Sequence, residues 1–325
     1  MNTHTQRHRS ILQSIAHRAM LERGLLPDFS SEALAELEQL QHSAALTTDS
    51  DTIRDRRNLI WASIDNDDSR DLDQLTVAEV LPAAKVKILV AIADVVFTVK
   101  NGSAIDEHAR HNTTSVYTAA EKFPMLPEKL STDVTSLNFN QDRIAIVVEM
   151  VVGADGSIED STVYEAWVCN NAKLAYNSVA AWLDKKGELP EEVATVKGLA
   201  ENLQLQDQVA QSMKKLRHLH GALSLETIEA KPVFDGDQIH ALEIEEKNRA
   251  KEIIEDFMIA ANGVTARYLS ASGFPSIRRV VRTPKRWERI VEIATDHKLD
   301  HRQGKVREAH RILCFFMDEE FFQCF

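Results

Sequence analysis

A chain of 325 residues, 44% of them hydrophobic and with only 11 Gly and 8 Pro, is long enough for two folding units and too apolar to be disordered. Its formal charge of −12 argues against a protein that coats nucleic acid by bulk electrostatics, while leaving room for a carboxylate-rich enzyme with a local basic track. No stretch approaches the roughly 18 consecutive apolar residues of a membrane span, no apolar leader core follows the polar N-terminus, and Cys169, Cys314 and Cys324 form no Cys-x-x-Cys pair. A reducing cytoplasm is therefore the expected compartment, without zinc, a disulfide framework or a membrane.

Residues 10–45 read as helical, because Ile11, Ile15, Met20 and Leu25, then Leu34, Leu37 and Leu40, recur at helical steps and Ser30–Ser31 offers an N-cap. This appendage, residues 1–50, fits a helix-turn-helix or a plain helical hairpin packed on the main body. A polar stretch from Thr47 to Arg57 then reads as a linker or surface loop. Strand character follows: Leu59–Ile64, the near-continuous apolar run Lys87–Ala93, and two runs, Ile144–Val152 and Ser157–Val168, around the turn Gly153-Ala154-Asp155-Gly156. From about Ala172 helices dominate, and Ile253, Ile254, Phe257, Met258, Ala261, Val264 and Tyr268 form one helical stripe. The predicted fold class is α+β, with a β-rich front half and a helical back half.

The chemistry concentrates in Asp65-Asn66-Asp67-Asp68-Ser69-Arg70-Asp71-Leu72-Asp73, five aspartates in nine residues directly after an apolar strand. Carboxylates so crowded repel one another and raise their own pKa unless a cation intervenes. Hard oxygen donors of this type suit Mg²⁺, with Mn²⁺ as the alternative, and such a centre can polarise a phosphodiester. For an isolated Asp-rich run, a solvated acidic turn is the commoner meaning. An EF-hand does not fit, because Arg70 or Leu72 occupies the sixth position, where that loop needs Gly.

The wider pattern decides between these. Ile64-Asp65 followed by Asp71-Leu72-Asp73 resembles the metal-binding core of the ribonuclease II and R exoribonucleases, the RNB domain. The resemblance continues in order through Ala91-Ile92-Ala93-Asp94-Val95, Gly102-Ser103, Thr114-Ser115-Val116-Tyr117, Pro124-Met125-Leu126-Pro127, Asp142-Arg143, Lys173-Leu174-Ala175-Tyr176, Gly221-Ala222-Leu223 and Ile254 to Asn262. It implies an RNB-type catalytic domain over residues 51–313 and Mg²⁺-dependent 3′→5′ hydrolysis of single-stranded RNA to 5′-nucleotides. By the same resemblance Asp65, Asp71 and Asp73 hold the metal, and Asp73 is the carboxylate most critical for catalysis. Tyr117 matches an aromatic that stacks on a base, a contact every base can make; its plain alternative is a core tyrosine. Tyr176 and Glu255 match positions that contact RNA near its 3′ end, and a surface ion pair is the plain alternative for Glu255. Arg278, Arg279 and Arg282, with Lys285, Arg286 and Arg289 close behind, read either as a phosphate track or as a solvated face. A second basic group, Lys214-Lys215-Arg217-His218-His220, carries a weaker signal of the same kind.

Three departures qualify the resemblance. Gln74 stands where the family has a further aspartate, which implies weaker metal affinity or slower chemistry. Leu225 replaces a common Phe, which should loosen base stacking by about 1–3 kcal/mol. The family's later segment with paired arginines has no counterpart, and residues 314–325 form an atypical tail with five Phe in the last eleven residues, so a C-terminally truncated member is the expectation. The competing function is an RNA-binding or interaction protein that retains the RNB fold without its catalysis. The sequence names no protein partner.

Overall fold

The computed structural model describes residues 8–43, 53–220, 222, 230–244 and 247–276, together with Arg289 and Glu292. Two helices open the chain, α1 (His8–Glu22) and α2 (Ser31–Ser43), followed by strands β1 (Arg54–Asp55), β2 (Ala62–Asp65), β3 (Gln74–Leu81) and β4 (Lys85–Ala93). Helix α3 (Ala104–Asn112) and the short pair β5 (Val116–Tyr117) and β6 (Lys122–Phe123) come next. The long hairpin β7 (Asp142–Val152) and β8 (Ile158–Cys169) precedes β9 (Ala172–Ala175). The back half holds α4 (Tyr176–Leu183), α5 (Glu191–Thr195), α6 (Leu199–Leu219), the hairpin β10 (Ala230–Asp235) and β11 (Gln238–Ile244), and α7 (Arg249–Ala271). No helix among the described residues is long and apolar enough to cross a membrane.

Among the described residues seven strands form one mixed sheet in the order β1-β8-β7-β4-β3-β2-β9, antiparallel except for the outer pairs β1–β8 and β2–β9. Past Lys87, whose ammonium lies 3.1 Å from Glu149, the strand is apolar from Ile88 to Ala93, and Ile88–Ala91 are buried on both faces. Ile88 and Val90 point to a core completed by Val209, Ala210 and Met213 of α6 and by Ile253, Phe257, Ala261 and Val264 of α7. Leu89 and Ala91 point the other way, to Trp61, Leu72, Leu75, Val77, Leu137 and Val147. Phe257 is fully buried at the helix–sheet seam, so truncating it to Ala costs about 3–5 kcal/mol. The predicted stripe on α7 is the buried face, apart from Tyr268, which is exposed at its end.

The turn between β7 and β8 is closed by hydrogen bonds from Gly153 N–H to the Ser157 carbonyl (2.9 Å) and from Gly156 N–H to the Gly153 carbonyl (3.0 Å). Two elements depart from the sequence reading. β3 lies in the β-rich front half but outside the strand runs named above, and the helical back half contains the β10–β11 hairpin. The N-terminal helices pack on the body of the protein: Ala33 and Leu37 of α2 join Val99, Ile105 and Leu130, and Ala16 and Met20 of α1 join Phe123.

Candidate active site

The end of β2, the loop after it and the junction of β9 with α4 build the site. Asp65 is the last residue of β2 and lies in parallel register with Ala175 of β9, so Tyr176, the first residue of α4, falls beside the root of the aspartate loop. The loop is irregular but held. Leu72 N–H donates to the Ser136 hydroxyl at 3.0 Å, the Leu72 carbonyl accepts from Leu137 N–H at 2.9 Å, and the Asp73 carbonyl accepts from Ala93 N–H at 2.9 Å. Leu72 is buried among Trp61, Leu75 and Leu137. Anchoring that one side chain in the core turns the flanking Asp71 and Asp73 away from it.

The carboxylates are brought together in part. Asp65 accepts from Asn66 N–H through Oδ1 at 2.7 Å and from the Ser69 hydroxyl through Oδ2 at 2.9 Å. The same Ser69 oxygen is 3.1 Å from Oδ1 of Asp71. Asp73 can be touched by water, yet the protein massed around it strips away bulk solvent. That desolvation first, and the charges of Asp71 and then Asp65, push its carboxyl up to about 6. Among the described residues no positive side chain enters this balance. Among the described residues no three His, Cys, Asp or Glu side chains close into a cation-sized cage. The donor set nevertheless suits a hard divalent cation: three mutually repelling carboxylates at one sheet end, with no cationic side chain among the described residues countering the one they perturb most.

Tyr117 is 67% exposed, which removes the core-tyrosine alternative. Its phenol is raised above the ordinary value by the protein around it, then by the charges of Asp71 and Asp73, so the ring lies within their electrostatic reach. Lys122 on the paired strand β6 places its ammonium 5.8 Å from the ring centre. Tyr176 is half-buried against the core cluster that includes Leu174, Val179 and Ile254, with the Lys251 ammonium 5.8 Å from its ring. Glu255, one helical turn beyond Lys251, makes an exposed ion pair with Lys247 at 3.8 Å, the plain alternative for this residue. Gln74 opens β3 opposite Ile92.

Arg278, Arg279, Arg282 and Leu225 lie outside the described residues, as does the tail 314–325. Arg289 of the same basic run pairs with Glu292 at 2.5 Å. The second basic group turns inward in part: Lys214 bonds Glu252 at 2.6 Å and Arg217 bonds the buried Asp256, both across the α6–α7 seam. Sequence reasoning passed over two residues of the site. Ser69 sat inside the aspartate run, and Lys173 inside the Lys-Leu-Ala-Tyr block, without a role. Lys173 Nζ donates to the Ser69 carbonyl at 2.6 Å.

A mixed sheet backed by helices, with carboxylates at its rim and an exposed aromatic in their field, makes this an α+β domain with a candidate centre for a hard cation. The chain belongs to the RNB domain family, whose family model matches residues 53–318. It is similar to ribonuclease R of Vibrio parahaemolyticus, 34% identical over 231 residues, covering 71% of this chain and 27% of the relative. It is also similar to exoribonuclease 2 of Shigella flexneri, 33% identical over 218 residues, covering 66% of this chain and 33% of that protein. Among solved structures, Mycoplasma genitalium RNase R in complex with ribose-methylated single-stranded RNA superposes with a TM-score of 0.77 at 25% identity, covering 95% of this chain and 48% of that one. The chain thus spans about a quarter to a third of the length of these curated relatives.

Proposed function

We propose that this chain is the catalytic portion of a Mg²⁺-dependent, cytoplasmic exoribonuclease that degrades single-stranded RNA from its 3′ end to 5′-nucleotides. The observation that carries the reading is the gathering of Asp65, Asp71 and Asp73 at the sheet rim, with exposed Tyr117 in their field, in a chain of the RNB family. The names of the relatives, ribonuclease R and exoribonuclease 2, support it.

In this reading Asp65, Asp71 and Asp73 hold Mg²⁺, or Mn²⁺ in its place. When bound, the cation supplies positive charge against the phosphodiester and acidity to a water. Asp73 has to lose its proton to act as a ligand, so its raised carboxyl makes the centre pH-sensitive near 6. Tyr117 offers its face to a base and so positions the chain without reading its sequence. Tyr176, braced by the core behind it, and Glu255, released from Lys247, meet the 3′-terminal nucleotides. Arg278, Arg279 and Arg282, which follow α7 in the sequence, grip phosphates through their guanidinium forks.

The test is incubation of the purified chain with a 3′-tailed single-stranded RNA and Mg²⁺, beside Asp73→Asn. Mononucleotide release by the wild type and none by the variant is the expected result. Release that survives Asp73→Asn refutes the catalytic assignment, and RNA binding without release from either favours a binding protein.

A further inference from the structure

We propose that Ser69 is a positioning residue whose hydroxyl sets the carboxylates of Asp65 and Asp71 for a divalent cation, and that Lys173 holds Ser69 in place. The inference rests on the metal-dependent reading above and deepens it.

A serine hydroxyl carries one proton and two lone pairs. At 2.9 Å from Asp65 Oδ2 and 3.1 Å from Asp71 Oδ1, the Ser69 oxygen donates to one carboxylate at a time while within reach of both. It therefore acts as a common pivot for two groups whose charges drive them apart. Asp65 is fixed twice over, since Asn66 N–H holds its other oxygen at 2.7 Å. The two acids are six residues apart on an irregular loop, and without the pivot neither rotamer is tied to the other.

The pivot is itself anchored at both ends of its peptide unit. Ser69 N–H donates to the Asn66 carbonyl at 3.0 Å, closing a turn. Its carbonyl accepts from Lys173 Nζ at 2.6 Å. Lys173 comes from β9, in parallel register with Ser63 of β2, so the sheet carries the ammonium to the loop. The choice of acceptor matters. A lysine bonded to Asp65 or Asp71 would compete with a cation for the carboxylate, whereas a lysine bonded to a backbone carbonyl holds the turn without taking a carboxylate oxygen. Partners that orient metal ligands in this way change metal affinity by about 10–100-fold when removed.

The experiment measures Mn²⁺ binding to the metal-free chain by the loss of the free-ion electron paramagnetic resonance signal, without RNA. The chains compared are the wild type, Ser69→Ala, Ser69→Thr, Lys173→Ala, Lys173→Arg and Asp73→Asn. Circular dichroism confirms that each is folded. Ser69→Ala and Lys173→Ala are expected to bind about 10-fold more weakly, while Ser69→Thr and Lys173→Arg, which keep the donors, bind within about threefold of wild type. In RNA hydrolysis the Mn²⁺ concentration for half-maximal rate shifts with the binding constant, and kcat at saturating Mn²⁺ recovers. Should Ser69→Ala bind as tightly as the wild type while Asp73→Asn binds weakly, the positioning role is overturned and the metal centre stands. Should the wild type bind no Mn²⁺, the metal centre and the positioning role fall together. A rate lost in Ser69→Ala at every Mn²⁺ concentration with unchanged binding also overturns the proposal.

Discussion

The side chain of Asn112, at the end of α3, pairs with both backbone groups of Leu26: Oδ1 accepts from Leu26 N–H and Nδ2 donates to its carbonyl, each at 2.9 Å. The carboxamide imitates a strand neighbour and fastens the link between α1 and α2 to the body of the protein. Phe29 adds a tilted stack on His108, ring centres 4.1 Å apart. Asn112 is almost wholly buried, so Asn112→Ala leaves two backbone groups short of partners at a cost of about 2 kcal/mol. Because the lock is local, amide exchange is expected to accelerate in α1 and α2 while β4 and β7 keep their protection. Uniform acceleration across the sheet would show that the N-terminal helices are not a separate opening unit.

A second prediction concerns the β7–β8 turn. Gly156 has φ +90°, and a Cβ there would sit 2.5 Å from the Ser212 carbonyl carbon and oxygen of α6. Gly156→Ala therefore adds a backbone clash to torsional strain and is expected to cost about 3 kcal/mol. Gly102 has φ +79° with open space around it, so Gly102→Ala should cost only the strain, about 1 kcal/mol. Denaturant midpoints of the two variants compare the terms directly; equal losses would mean that the turn yields to the clash.

A third prediction follows from Asp73. Its carboxyl is pushed up to about 6 by desolvation, then by Asp71 and Asp65, well above the ordinary aspartate value of about 3.9. An acid that holds its proton more tightly folded than unfolded contributes stability that is complete below about pH 4 and is lost as the pH rises through about 6. The metal-free chain in chelator should lose Tm between pH 4.5 and 7.5, and Asp73→Asn should flatten that slope and melt higher at pH 7.5. Added Mg²⁺ should restore Tm at pH 7.5 in the wild type and much less in the variant. Identical slopes with and without Asp73 would remove it from the electrostatic balance.

Much of this was legible in the sequence because local pattern and tertiary environment agree there. The run Ile88–Ala93 is apolar on both faces and lies in the middle of the sheet, and the stripe on α7 packs against it. β3 was hidden because Thr76 and Ala78 are buried as fully as Leu75 and Val77, so exposure does not alternate along its first half. The β10–β11 hairpin was masked by Pro232 inside its first strand, a residue that argues against strand. At the site, residue type and spacing announced a carboxylate centre, since charge crowding is readable from sequence. The contact from Lys173 to the Ser69 carbonyl was not readable. It depends on the parallel register of β2 with β9, strands separated by more than a hundred residues, and no local pattern encodes that pairing.

The last prediction separates the RNA-facing role of Tyr117 from support of the fold. Its ring is 67% exposed and belongs to the two-stranded pair β5–β6, outside the main sheet, so Tyr117→Ala should shift Tm very little. A ring that stacks on a base is worth about 1–3 kcal/mol, which corresponds to roughly 5- to 150-fold weaker binding of a single-stranded oligonucleotide. Tyr117→Phe keeps the π-face and should bind close to wild type, which distinguishes stacking from a hydrogen bond through the phenol. The measurement is fluorescence anisotropy of a labelled oligonucleotide in chelator, where no hydrolysis occurs. Equal losses in Tyr117→Phe and Tyr117→Ala would transfer the contact from the ring to the hydroxyl, and unchanged affinity in both would take Tyr117 out of the RNA path.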